Sequence, residues 1–165
     1  MIIRKIEIKD AERFLYMLKQ LDNETKDMMY EPGERKTSAA EMKSAIESLY
    51  SSNSLMLVAE ENDDLIGFLT AERGFANKIK HSAYVVIGLL KSYRGKKPGT
   101  KLFEELTDWT LKNGITRLEL TVMTHNEAAI GLYKKMGFKI EGLKEKSLIV
   151  DGKYVDEYYM AKIFL

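Results

Sequence analysis

Apolar runs of period two alternate along this chain with stretches in which apolar residues recur every three or four positions, and the two periods place strands and helices. Residues Ile2 to Ile8 set Ile2, Arg4, Ile6 and Ile8 against Ile3, Lys5 and Glu7, which predicts a strand with one side better buried. Phe14, Leu15, Leu18 and Leu21 then share one helical face behind the cap residue Asp10, with the helix ending near Asp22. From Asp22 to Lys36 the chain holds Pro32-Gly33 and no sustained period, so it reads as a loop or broken helix. Ser38 and Glu41 have capping-box spacing ahead of a second helix whose apolar face is Met42, Ala45, Ile46, Leu49 and Tyr50.

Ser54 to Glu60 and Leu65 to Ala71 read as strands joined by an acidic turn, and His81 to Leu90 is a nearly continuous apolar run expected of a central strand buried on both faces. Gly88 interrupts that run and predicts a bulge or the close approach of a ligand. Leu102, Phe103, Leu106, Trp109 and Thr110 mark a helix stopped by Asn113-Gly114, and Leu118, Leu120 and Val122 mark the next strand. Asn126 caps a short helix closed by Gly137, and two last strands turn at Asp151-Gly152. The order β-α-α-β-β-β-α-β-α-β-β, with one β-α-β crossover and hairpins on either side, predicts a mixed α/β fold. Its mostly antiparallel sheet is flanked by helices.

Composition narrows the class. At 165 residues, with 45% hydrophobic and 31% charged residues and no linker or repeat, the chain reads as one domain spanning 1–165. A formal charge of +1 gives no global field for nucleic acid or an acidic membrane, and no run is long enough to span a bilayer. The absence of cysteine removes disulfides, thiolate metal sites and a cysteine nucleophile, and no metal is expected. Because the first residues alternate charged and apolar positions, no signal peptide is read and the expected location is cytoplasmic.

The chemistry concentrates between Gly88 and Phe138. Tyr93-Arg94-Gly95-Lys96-Lys97-Pro98-Gly99-Thr100 follows a strand and opens a helix, a setting in which backbone N–H groups and a positive helix end meet phosphate oxygens. It lacks the Gly-Lys-Ser/Thr arrangement of a P-loop. Tyr133 lies seven residues after Asn126, two helical turns on, so both share nearly one face about 10 Å apart.

Through this loop, the segment from Asn126 through Tyr133 to Gly137-Phe138, and the matching element order, the chain resembles the GNAT superfamily of acyl-CoA-dependent N-acetyltransferases. Glu141-Gly142 and the segment from Asp151 to Asp156 look like the microbial branch that acetylates small amines or protein N-termini. The resemblance implies acetyl-CoA as co-substrate, with Arg94, Gly95, Lys96, Lys97, Gly99 and Thr100 around its pyrophosphate. Lys97 stands where the family has its first glycine, and Pro98 removes one N–H. The resemblance also implies that the Leu89 and Leu90 backbone bonds the pantetheine arm. Asn126 would cap its helix, bond the arm, or do both, and Tyr133 would give a proton or hydrogen bond to the departing thiolate unless it only packs on the core.

The acceptor amine needs a base, since an ordinary ammonium has a pKa near 10.4. Candidates are Glu24, Glu31, Glu72 and His81. The acidic run from Asp22 to Glu34 suits a small cationic amine, with Tyr30, Met28 and Met29 as lining. Partners expected are thus a small-molecule or peptide amine, and a homodimer is left open. A non-catalytic acyl-CoA-binding sensor or assembly module is the alternative function.

Overall fold

A computed structural model describes residues 1–165. Its strands are β1 (Ile2–Lys5), β2 (Leu55–Glu61), β3 (Asp64–Arg73), β4 (Ser82–Leu89), β5 (Arg117–Met123), β6 (Lys139–Val150) and β7 (Lys153–Ile163). The helices are α1 (Ala11–Glu24), α2 (Ala39–Ser51), α3 (Pro98–Lys112) and α4 (Glu127–Lys135), and the element order is the one the sequence periods predict. One seven-stranded sheet runs β1-β2-β3-β4-β5-β7-β6, with β4 and β5 as its single parallel pair.

Local chemistry sets the turns. Asn62 (φ 52°) and Asp63 (φ 67°) join β2 to β3, and Asp151 (φ 52°) and Gly152 (φ 74°) join β6 to β7. Two successive residues of positive φ twist a two-residue turn to match its strands. Ser38 caps α2 by accepting from the Glu41 N–H, as its spacing predicts.

The sheet separates two apolar layers. On one face α3 and α4 pack Phe103, Leu106 and Tyr133 onto Leu57, Val85, Leu120 and Met160. On the other, α1 and α2 pack Phe14, Leu18, Leu21 and Ile46 onto Val58 and Phe68. Asp10 does not cap α1 with its side chain. It is fully buried, where it accepts from Arg4 Nη1 (2.7 Å), Arg4 Nη2 (3.0 Å), Arg13 Nη2 (2.8 Å) and the Glu7 N–H (2.8 Å).

Two expectations for the central strand are corrected. Tyr84 and Val86 are each 39% exposed, because α1 and α2 cover β2 and β3 and stop short of this stretch of β4. Gly88 makes no bulge. A Cβ there would come within 2.6 Å of Phe68 Cε1 and 3.1 Å of Leu21 Cδ1, so glycine serves the packing of α1 on the sheet.

Candidate active site

The parallel pairing of β4 with β5 ends at Tyr84 and Glu119. Beyond that row the two strands part and leave a slot through the sheet. Bonds at both ends of β4, Leu90 N–H to the Ile66 carbonyl (2.9 Å) and Gly74 N–H to the Ser82 carbonyl (2.9 Å), show that its even-numbered residues bond β3. Antiparallel pairing alternates, so the backbone groups of Val85, Ile87 and Leu89 face the slot, where no strand pairs with them. This corrects Leu90, whose N–H is committed to Ile66 and whose side chain is buried. Ile87 takes its place beside Leu89, a position visible only once the bonding parity is known.

At the end of β4 the chain makes a tight turn into α3. Gly95 (φ 81°) and Lys97 (φ 68°) are both left-handed, and Pro98 occupies the first turn of the helix, where a missing N–H costs nothing. The N–H groups of Gly95, Lys97, Gly99 and Thr100 have no backbone partner and lie at the positive end of a 15-residue helix. Gly99 permits a close approach, since a Cβ would stand 2.9 Å from Leu132 Cδ2 and 3.4 Å from Leu89 Cδ1. Lys96 lies over the Tyr93 ring (5.1 Å), and Arg94 folds back so that its Nε donates to the Leu89 carbonyl (3.4 Å). Free amides, a helix end and exposed cations suit a diphosphate, and the unpaired edge of β4 suits an extended amide-bearing arm.

On the α3–α4 face of the slot the Tyr133 ring is buried in edge contacts with Phe103 (5.8 Å) and against Phe138 (6.0 Å). Its hydroxyl has no hydrogen-bond partner, and because no buried polar side-chain atom lacks one, this oxygen reaches the surface. Burial, seconded by Tyr84 and Asp27, pushes the phenol well above its ordinary value, so it stays protonated at neutral pH. A phenol so shifted stabilises a thiolate by hydrogen bonding rather than by full proton transfer. Asn126 accepts from the Ala129 N–H (3.2 Å) through Oδ1, which leaves the Nδ2 group outside the cap.

The opposite face carries Tyr84 and Val86 of β4, Thr121 of β5 and Tyr159 of β7. Tyr84 Oη and Thr121 Oγ1 lie 2.7 Å apart and join the strands just where they part. A strap runs over this face from Thr25 to Lys36. Glu24 Oε2 accepts from the Lys91 N–H (2.8 Å) at its start, Lys26 pairs with Asp151 of the β6–β7 turn, and buried Asp22 binds Arg35 through two bonds (2.8 and 3.0 Å) at its base.

The model of the acetyltransferase (GNAT) family matches residues 16–138, which contain the slot, the loop, Asn126 and Tyr133. The chain belongs to the GNAT acetyltransferase family. It is accordingly an acetyl-CoA-dependent N-acetyltransferase. It is 34% identical to the L-amino acid N-acetyltransferase AaaT of Escherichia coli over 111 residues, 65% of this chain and 67% of that protein. With the L-2,4-diaminobutyric acid acetyltransferase of Marinococcus halophilus it shares 36% identity over 87 residues, 52% of this chain and 49% of that protein. The crystal structure of a GNAT acetyltransferase from Streptococcus pneumoniae superposes with a TM-score of 0.94 at 31% identity, covering 99% of each chain. A putative acetyltransferase of Salmonella typhimurium, solved with acetyl-CoA, shares the fold with a TM-score of 0.88 at 18% identity.

Within this GNAT frame the acceptor residues expected from the sequence scatter. Glu24 spends one carboxylate oxygen on Lys91 and the other on Gln20 Nε2 (2.9 Å), so it fastens the strap. The Tyr30 ring lies under the Arg35 guanidinium (4.6 Å), and Glu31 is an exposed residue of the strap. Glu72 pairs across β3–β4 with Tyr84 on the acceptor face. His81 precedes β4, and eight residues of extended chain put it about 26 Å from Leu89. Tyr84 and Thr121 escaped the sequence reading because each looks like an ordinary strand residue; what marks them is their mutual hydrogen bond at the point of parting.

Proposed function

We propose that this GNAT enzyme acetylates a small, basic primary amine by direct attack of the amine on the thioester. The observation that carries the reading is a slot whose two sides differ in charge. Its cofactor mouth carries Arg94, Lys96, Lys97 and Lys101, while on the strap and acceptor face Asp27, Glu31, Glu34 and Glu72 make no ion pair, against the one unpaired strap cation Lys36. A cationic acceptor and an anionic co-substrate are thus drawn to different openings. The relatives named for an amino acid and a diamino acid support a small amine.

Each part of the chain has a task in this scheme. The amides of Gly95, Lys97, Gly99 and Thr100 hold the pyrophosphate, with Arg94 and Lys96 adding charge. Backbone groups of Ile87 and Leu89, with Asn126 Nδ2, hold the arm. Acetyl-CoA supplies the activated acyl group. Tyr133 donates its hydroxyl toward the departing sulfur, and the Phe103–Tyr133–Phe138 cluster fixes the ring so that this bond needs no reorganisation.

The test is a panel of basic amines, amino acids and peptides with free N-termini, followed by amine-dependent thiol release. Small basic amines should give the highest kcat/KM, and Tyr133→Phe should lower kcat roughly 100-fold with acetyl-CoA binding kept. Acetyl-CoA binding without thiol release for any amine would replace this reading with a sensor or assembly module. A variant with wild-type kcat would remove Tyr133 from the mechanism.

A further inference from the structure

We propose that the Tyr84–Thr121 hydroxyl pair receives the attacking amine and carries its proton away, on the face of the slot opposite Tyr133. This rests on the acetyl-transfer reading above. The two strands approach the pair from different sides. Tyr84 is the last β4 residue with a partner on β5, and Thr121 lies two residues beyond that partner, Glu119. Their 2.7 Å contact therefore spans the first row at which backbone pairing has ceased. Two hydroxyls at this point present both a donor and an acceptor to whatever enters from the acceptor side.

The side on which they lie matters. Tyr133 belongs to the α3–α4 layer, whereas Tyr84 and Thr121 project from the opposite face of the same two strands, because side chains alternate along a strand. A thioester lying in the slot has its departing sulfur served from one face. The nitrogen then arrives from the other, and a proton acceptor is needed there.

Of the candidate bases, Glu24 and His81 lie elsewhere, and Glu72 stands beside the pair on β3. Glu24 is bonded to Lys91 and Gln20, and His81 lies at the far end of β4. His125 is exposed in the turn that follows β5. The hydroxyl pair opens to water, since Tyr84 is 39% exposed. Several charged or titratable groups face it. Glu72 stands across from Tyr84 on β3, Glu119 beside it on β5, and Tyr159 beside Thr121 on β7. Arg117 is held between Glu119 and Glu141, and Tyr133 approaches from α4. A proton passed to water here emerges among carboxylates.

The step balances as follows. An ammonium acceptor gives one proton to Thr121 Oγ1, whose own proton passes to Tyr84 Oη, and Tyr84 releases its proton to water. The free amine attacks, the C–N bond forms, the C–S bond breaks, and nitrogen loses a second proton along the same route. The thiolate, held by the Tyr133 hydrogen bond, takes up one proton from solvent. One proton is released overall.

Tyr84→Phe, Thr121→Val and the double variant test this, with kcat/KM for the amine measured from about pH 6 to about pH 10 and acetyl-CoA binding measured alongside. At pH 7 each variant should lose roughly 100-fold in kcat/KM, and the double variant should lose little more, because the two act as one relay. The deficit should shrink as the pH nears the amine's own pKa, where solvent has already removed the first proton. Acetyl-CoA Kd should stay within about twofold, which also certifies folding. Wild-type turnover matched by the variants at pH 7, or a limb of the wild-type pH profile that Glu72→Gln or His125→Ala abolishes, would overturn the relay alone. A wild type with no amine-dependent thiol release would overturn both the relay and the reading beneath it.

Discussion

The two faces of the sheet are held by different physics. On the cofactor side, Phe103, Tyr133 and Phe138 pack ring on ring within a layer of aliphatic side chains, and the Tyr133 hydroxyl rides on that packing. On the acceptor side the apolar layer under α1 and α2 stops short of the slot. What continues over it is a strap tied by Glu24 to a backbone amide, by Lys26 to Asp151 and by Asp22 to Arg35. Packing fixes a position to within a rotamer, whereas a few polar ties, only one of them buried, set a contour that a few substitutions can redraw. The half that must meet one invariant co-substrate is packed. The half that must fit a particular amine is tied.

The largest effect expected is at the end of α1 away from the strap, where polar contacts again hold the helix to the sheet. Asp10→Asn would replace the charge-assisted partner of Arg4 and Arg13, which keep Glu60, by a neutral amide and should remove about 2–3 kcal/mol of unfolding free energy in urea. The sign with pH is fixed. The Arg4 hydrogen bonds, chiefly, pull the Asp10 carboxyl far below its ordinary 3.8, against the cost of burial. The unfolded chain therefore takes up a proton first on acidification, and this contribution, complete above about pH 5, is lost as the pH falls below 4. Wild-type stability should show that acid limb and the variant a flatter one; identical limbs would mean Asp10 is not its source.

Next in size is the cofactor side. Gly99→Ala would press a Cβ onto Leu132 Cδ2, and calorimetry should record an acetyl-CoA Kd roughly 10-fold weaker, about 1.4 kcal/mol, with the amine KM little changed. An equal rise in both constants would show that the two faces are not separable. Smallest is Lys97→Gly, which relieves a left-handed non-glycine residue and should raise stability by about 1 kcal/mol, or 2–4 °C in Tm. Acetyl-CoA Kd should stay within about threefold. A loss beyond tenfold would mean that the Lys97 charge, rather than the loop amides, holds the diphosphate.

How far the sequence could be read follows the same division. Turn residues at Asn62-Asp63 and Asp151-Gly152, the Ser38 cap and the loop from Arg94 to Thr100 are local signals, and the structure places them as their neighbours in sequence dictate. Gly88, Leu90 and Glu24 misled because their roles depend on residues far along the chain. Phe68 and Leu21 fill the space that glycine leaves, Ile66 takes the Leu90 N–H, and Lys91 takes the Glu24 carboxylate. Hydrophobic period cannot tell which edge of a strand is paired, so it could not choose between Leu90 and Ile87. Nor could it single out Tyr84, a tyrosine inside an apolar run whose exposure arises only because α1 ends where it does.

The pairing of Lys26 with Asp151 joins residues 125 apart in sequence. Loop closure over such a span waits on everything between. During synthesis, the loop and helix to which we assign the co-substrate leave the ribosome well before the β6–β7 turn that anchors the strap. The amine site is thus the last part of the enzyme to acquire its walls, and a nascent chain stalled before the final hairpin would carry the acyl-donor loop with no roof over the place of transfer.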